Sequence, residues 1–101
     1  MKLLLVDDER FTREGIYSLT PWKELGIDEV ITAEDGEDGL EKALLFAPEI
    51  ILTDVKMPRM DGVDMSFKIR EKFPDCIIIF MSGYADKEYL KSAIRLSAVN
   101  Y

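Results

Sequence analysis

The sequence predicts an α/β fold in which a parallel sheet is covered by helices on both faces. Short apolar runs alternate with helical stretches of about 10–12 residues, in the order β-α-β-α-β-α-β-α-β. The runs are continuously apolar, as expected for strands buried on both faces. Alternating strands and helices imply right-handed crossovers between parallel strands. A length of 101 residues is that of one domain, so residues 1–101 are expected to form a single unit.

The first strand is the apolar run over residues 2–6, and three consecutive acids follow it, Asp7, Asp8 and Glu9. Residues 9–19 show helical spacing, and Asp8 is the expected N-cap of that helix. This places acidic side chains where the first strand leaves the sheet.

The segment Thr20-Pro21-Trp22 ends the first helix, and a longer connection follows in which Trp22 and Leu25 are expected to pack. Residues 30–33 form a second strand whose polar neighbours indicate an edge position. An amphipathic helix over residues 37–46 comes next, with Pro48 ending it.

The third strand, residues 50–53, delivers Asp54 to its carboxyl end, and Pro58 and Gly62 shape the turn that leaves the core. A third helix over residues 62–73 follows. The chain then continues with a strand over 76–81, a helix over 86–96 and the start of a strand over 98–101. The single cysteine, Cys76, excludes an internal disulfide and is expected to be a core thiol.

The composition narrows the classes of function. Thirteen basic and twenty acidic residues give a net charge of −7, which disfavours direct binding to nucleic acid. The chain has no histidine, which disfavours a zinc site or a histidine-based hydrolase, whereas carboxylate oxygens suit Mg²⁺. No apolar run is long enough to span a membrane and no signal pattern begins the chain, so a cytoplasmic location is predicted.

Parallel topology brings the carboxyl ends of strands one, three and four to one edge of the sheet, and with them Asp7, Asp8, Asp54 and Ser82. Three converging carboxylates raise one another's pKa values unless a cation lies among them, and Mg²⁺ is the hard divalent ion that such ligands prefer. Asp54 would then be both a ligand and a nucleophile that accepts a phosphoryl group as an acyl phosphate. Ser82 would hydrogen-bond a phosphoryl oxygen.

Four motifs resemble the receiver domain of two-component response regulators, in order and across the whole chain: Asp7-Asp8-Glu9, Asp54-x-x-Met57-Pro58-x-Met60-Asp61-Gly62, Ser82-Gly83 and Ala98-x-x-Tyr101. The second of these is highly specific by itself. Thr20-Pro21-Trp22 and Ser82-Gly83-Tyr84 further resemble receivers fused to AraC-type helix-turn-helix output domains.

The resemblance implies a three-layer flavodoxin-like fold with a five-stranded parallel sheet of order 2-1-3-4-5. It implies transfer of a phosphoryl group from a sensor histidine kinase to Asp54, with Mg²⁺ held by Asp7, Asp8, Asp54 and the backbone carbonyl of Lys56. Ser82 matches the switch hydroxyl and Tyr101 the switch aromatic. Such a domain is a signalling module rather than a turnover enzyme, and it reaches DNA only through a separate output domain.

The sequence departs from the family at its end. The family places an essential lysine a few residues beyond the switch aromatic, whereas this sequence ends at Tyr101. We therefore expect a receiver truncated before its last helix, in which the switching step is more affected than Mg²⁺ binding. Apolar surface uncovered by the truncation predicts self-association, including by exchange of elements.

Other interpretations compete with the phosphoacceptor. The acids Asp7-Asp8-Glu9 alone would fit a solvated helix start, and Asp61 is expected to shape a turn rather than to ligate. A receiver fold retained as a phosphorylation-independent interaction or dimerisation module is the main alternative function. A phosphohydrolase is disfavoured because Lys56 stands where a second acid is needed. A flavin protein is disfavoured because acids replace the phosphate loop after the first strand.

Overall fold

We describe residues 1–81 of the chain from a computed structural model. The elements are β1 (Lys2–Val6), α1 (Arg10–Leu19), β2 (Glu29–Ala33), α2 (Gly36–Phe46), β3 (Ile50–Asp54), α3 (Gly62–Lys72) and β4 (Ile77–Met81). Each of their bounds lies within one residue of the sequence prediction. The predicted helix over 86–96 and strand over 98–101 lie outside the described residues.

The four strands form one parallel sheet of order β2-β1-β3-β4. This is the flavodoxin-like order that the family resemblance implies for the first four strands, and β2 lies at an edge as predicted. The expected fifth strand falls outside the described part of the chain. Among residues 1–81, no helix is long and apolar enough to cross a membrane.

Each face of the sheet has its own apolar cluster, because successive side chains of a strand point to opposite faces. The larger cluster lies under α2 and α3, and it contains Leu4 and Val6 of β1 together with Ala43, Met65 and Ile69 of the helices. The smaller cluster lies on the face of α1 and is built around Leu3, Leu5, Ile27, Ile16 and Trp22. The sheet is therefore the middle of three layers.

Two predictions about the first helix and its exit are wrong. Glu9, not Asp8, is the N-cap residue of α1, and its side chain makes no capping hydrogen bond. The Asp8 carboxylate instead lies beside other acids at the sheet edge, where it is out of place for capping. Leu25 does not pack, because a 3₁₀ turn over Lys23–Leu25 leaves it 60% exposed, whereas Trp22 packs as predicted.

Aspartate side chains cap α2 and α3. Asp35 accepts a hydrogen bond from the Asp38 amide at 2.7 Å, and Asp61 accepts one from the Asp64 amide at 2.8 Å. Such caps each contribute about 1 kcal/mol to stability. Asp61 is thus a structural residue that starts α3, as its place after the turn predicted.

Candidate functional site

Three carboxylates meet at the carboxyl edge of the sheet. Because Val6 of β1 is paired with Thr53 of β3, the residues that follow Val6 and Thr53 are carried to neighbouring positions. Carboxylate oxygens of Asp7, Asp8 and Asp54 all lie within 4.8 Å of one another. Thus the predicted convergence of these three acids occurs in the structure.

The three acids differ in exposure and support. Asp7 is 3% exposed, and its Oδ1 accepts a hydrogen bond from the Glu9 amide at 2.9 Å. Asp54 is half-buried, and its Oδ1 accepts one from the Val55 amide at 2.8 Å. Asp8 is exposed. Backbone donors therefore orient the two less accessible carboxylates, and the third completes the group from the solvent side.

Burial and mutual repulsion make the cluster electrostatically costly. Burial raises the pKa of Asp54 to about 6; the Val55 amide opposes this rise, and the charges of Asp7, Asp8 and Glu9 add to it. The pKa of Asp7 is also raised, first by burial and then by its acidic neighbours, against the Glu9 amide and the Arg13 charge. A cation among these groups would relieve the repulsion.

The composition and spacing of the cluster fit Mg²⁺. Its donors are carboxylate oxygens, which hard divalent cations prefer. Oxygens that share one octahedral Mg²⁺ at about 2.1 Å are at most about 4.2 Å apart. Carboxylates already within 4.8 Å of one another need only small rotations to meet that requirement.

The loop between β3 and α3 turns sharply beside the cluster. The Gly62 amide donates to the Val55 carbonyl at 2.7 Å, which closes the loop at its base. A Cβ at Gly62 would come within 2.1 Å of the Asp54 carbonyl oxygen, so only glycine allows this approach. Lys56 lies in this loop two residues beyond Asp54, and the ligand role of its carbonyl stays a prediction.

Two supporting contacts were missed by sequence reasoning. The Arg13 guanidinium donates to the Asp7 carbonyl at 2.7 Å, and the Thr53 hydroxyl donates to the Asp54 carbonyl at 2.9 Å. The position of Arg13 within the first turns of α1, close in sequence to Asp7, was the available signal. Ser82 and Tyr101 lie outside the described residues, and their roles stay predictions.

A parallel sheet covered on both faces, with three carboxylates gathered at its carboxyl edge, defines a flavodoxin-like α/β domain with an acidic site. The chain belongs to the response regulator receiver domains, whose family model matches residues 3–101. These domains serve two-component systems and are signalling domains.

Individual relatives agree with this assignment. An uncharacterized response regulatory protein of Staphylococcus epidermidis is 39% identical over 100 residues, which are 99% of this chain and 39% of that protein. The transcriptional regulatory protein HptR of Staphylococcus aureus is 37% identical over 99% of this chain and 39% of that protein. The chain therefore spans about two fifths of the length of these relatives.

Solved structures match the fold closely. The REC domain of AraT, a response regulator from Geobacillus stearothermophilus, has a TM-score of 0.91 and 41% identity, over 99% of this chain and 78% of that one. A two component transcriptional regulator AraC from Clostridium phytofermentans has a TM-score of 0.82 and 47% identity, over 90% of this chain and 73% of that one. The AraC-type resemblance predicted from sequence thus has matching structural neighbours.

Proposed function

We propose that the domain accepts a phosphoryl group on the carboxylate of Asp54 from a phosphohistidine of a sensor histidine kinase. The observation that carries this proposal is the convergence of Asp7, Asp8 and Asp54 within 4.8 Å at the carboxyl edge of the sheet. In the reaction a carboxylate oxygen of Asp54 forms a bond to phosphorus while the phosphorus–nitrogen bond breaks. The released imidazole takes up a proton, and Asp54 becomes an acyl phosphate.

Mg²⁺ is the cofactor of this proposal, held by Asp7, Asp8, Asp54 and the Lys56 carbonyl. When bound, it would neutralise charge that develops on the phosphoryl oxygens. The chain's own residues orient the acceptor: the Val55 amide holds one Asp54 oxygen at 2.8 Å. Asp7, which is held by the Glu9 amide, would be a second negatively charged ligand beside Asp54. Ser82 would bond a phosphoryl oxygen and Tyr101 would respond to it, as the family resemblance implies.

The wider role is signal relay in the cytoplasm. Transcriptional regulators are among the relatives, and each is longer than this chain. We infer that the phosphorylated domain acts on a separate DNA-binding output domain rather than on DNA itself, consistent with a net charge of −7. Its catalytic part is limited to its own phosphorylation and dephosphorylation, so it is not a turnover enzyme.

Phosphorylation by a small-molecule donor tests the proposal. The purified chain is incubated with acetyl phosphate and Mg²⁺, and bound phosphoryl groups are counted by intact mass spectrometry. The Asp54→Asn variant is expected to take up none. Asp61→Asn is the matched control, because asparagine keeps the cap of α3 while removing a carboxylate of the same loop. Equal incorporation by wild type and Asp54→Asn would show that Asp54 is not the acceptor.

A phosphorylation-independent interaction module is the second candidate, and the exposure of α1 favours it. Phe11 and Leu19 are 88% and 85% exposed, and no residue of α1 is fully buried. A second copy of the chain could cover this apolar flank. Analytical ultracentrifugation should then show a dimer, and Leu19→Lys should dissociate it. The control Leu45→Lys, at a 71% exposed position on α2, should leave the dimer intact. A wild-type monomer at high concentration would exclude self-association.

A further inference from the structure

The loop between β3 and α3 is attached at its far end to the start of α2. Arg59 lies near the tip of this loop, and its guanidinium Nη2 is 2.7 Å from Oδ2 of Asp35, whose side chain is only 10% exposed. A second, longer contact of 3.9 Å joins Nη1 to Glu37. The ion pair therefore joins an exposed arginine to a nearly buried carboxylate at the N-cap of α2.

Asp35 is itself held in place. Its other oxygen, Oδ1, accepts the Asp38 amide as the N-cap of α2. The neighbouring Gly36 lies so close under the loop that an added Cβ would be 2.1 Å from the Met60 carbonyl oxygen. Backbone packing and the ion pair thus fix the loop tip at the same place.

Arg59 adopts a backbone conformation that few side chains prefer. Its φ is +68°, in the left-handed region. An arginine at this position costs backbone energy that glycine would avoid. The Arg59 backbone and its guanidinium together set the path of the loop.

The base of this loop carries the acceptor site. The Val55 amide bonds the Asp54 carboxylate, and the Val55 carbonyl bonds the Gly62 amide. A loop held at the base by Gly62 and at the tip by Asp35 has little freedom between those points, and Lys56 lies in that interval. Movement of the tip would therefore be transmitted to the groups beside Asp54.

We propose that Arg59 is a positioning residue of the acceptor site, which it serves through its ion pair with the Asp35 cap of α2. This inference rests on the proposed function, because it assigns to the pair a role in Mg²⁺ and phosphoryl binding. The Arg59 side chain is 66% exposed, and exposed ion pairs add little to folding stability. Its effect is therefore expected in the affinity of the site.

The test measures Mg²⁺ affinity by titration calorimetry, and then binding of beryllofluoride, which takes the place of a phosphoryl group on a carboxylate. Arg59→Ala removes the guanidinium but keeps a Cβ, so the energetic cost of the left-handed backbone conformation remains. Asp35→Asn keeps an oxygen for the cap while removing the charge. We expect each variant to weaken both affinities by about five- to tenfold, at the lower end of the losses seen for groups around a metal site. The double variant should lose no more than either single one.

Two controls separate positioning from general destabilisation. Glu37→Gln removes the 3.9 Å contact and should bind within about twofold of wild type. Ile69→Val destabilises the core by about 1 kcal/mol and should leave both affinities unchanged.

The outcomes distinguish this inference from the function on which it rests. Wild-type affinity in Arg59→Ala, or losses that multiply in the double variant, would overturn the inference alone. If the wild-type chain bound neither probe, the proposed function would be wrong and the inference would fall with it.

Discussion

Asp7 directly follows β1 and Asp54 ends β3, 47 residues further along the chain, yet their carboxylate oxygens come within 4.8 Å of each other. Within residues 1–81, each carboxylate accepts a hydrogen bond from a backbone amide, Asp7 from Glu9 and Asp54 from Val55. The folded chain thus concentrates negative charge at the edge where, under the proposed function, an anionic phosphoryl group would be received. A divalent cation among these carboxylates would relieve their repulsion.

Divalent cations should stabilise the fold through Asp7 and Asp8. At a Mg²⁺ concentration about 100 times its Kd, the wild-type chain should gain about 2.7 kcal/mol in the free energy of unfolding. Asp7→Asn keeps the acceptor of the Glu9 amide but removes a ligand charge, so this gain should largely disappear, and the same loss is expected for Asp8→Asn. Urea unfolding with Mg²⁺ and with a chelator measures the gain.

The control for this prediction is Asp75→Asn. It removes the same charge from an exposed position in the turn before β4, at the opposite edge of the sheet. Its stabilisation by Mg²⁺ should equal that of wild type. Undiminished stabilisation of both Asp7→Asn and Asp8→Asn would place the cation elsewhere.

The metal-free chain should lose stability as pH rises through the titration of Asp54. Its pKa is raised to about 6 in the folded state, above an unfolded value of about 3.9. Between these pH values the folded chain retains a proton that the unfolded chain releases. The contribution of the protonated Asp54 carboxyl to folding stability is therefore complete below about pH 4 and lost above about pH 6. Because water reaches part of this carboxyl, the loss is expected to be about 1–2 kcal/mol.

Comparison with Asp54→Asn isolates this effect from the other acids. In chelator, the variant should match wild type at about pH 4 and exceed its stability at about pH 8. A stability difference that does not widen between these two conditions would contradict the raised pKa.

Glycine substitutions should have opposite effects in α1 and at the start of α3. Gly62→Ala would place a Cβ 2.1 Å from the Asp54 carbonyl oxygen, so we expect a loss of about 2–3 kcal/mol and a displaced acceptor loop. Gly15→Ala meets no atom within 4 Å and should stabilise α1 by about 0.5–1 kcal/mol. Thermal unfolding of the two variants measures both effects, and equal melting temperatures would refute the close approach at Gly62.

The thiol of Cys76 should be inert in the native chain. It is 6% exposed and lies 3.6 Å from the Pro48 carbonyl, and burial raises its pKa to about 11. Because the thiolate is the reactive form, labelling by a disulfide reagent at about pH 8 should be slow and should become fast in urea. A labelling rate that urea does not change would show that the thiol is accessible in the folded state.

Local sequence signals were sufficient for the elements, whereas the order of the strands in the sheet followed from the family resemblance. The apolar run Lys2–Val6, the Pro48 break and the Asp61 turn before α3 are read from neighbouring residues, since strand burial and helix caps are local in origin. The same reasoning misplaced the cap of α1 at Asp8. Whether an acid caps a helix or joins a cluster depends on what stands across the sheet edge, which neighbouring residues do not specify.

The sequence by itself determined which acids reach the carboxyl edge, because strand direction in a parallel sheet follows from the alternation of strands and helices. Only the tertiary structure decided how those acids are held. The close approach of the Met60 backbone to Gly36 and the pairing of Arg59 with Asp35 join elements that are distant in sequence. Such contacts depend on the packing of α2 against the loop after β3, and packing geometry is a property of the assembled layers rather than of any one segment.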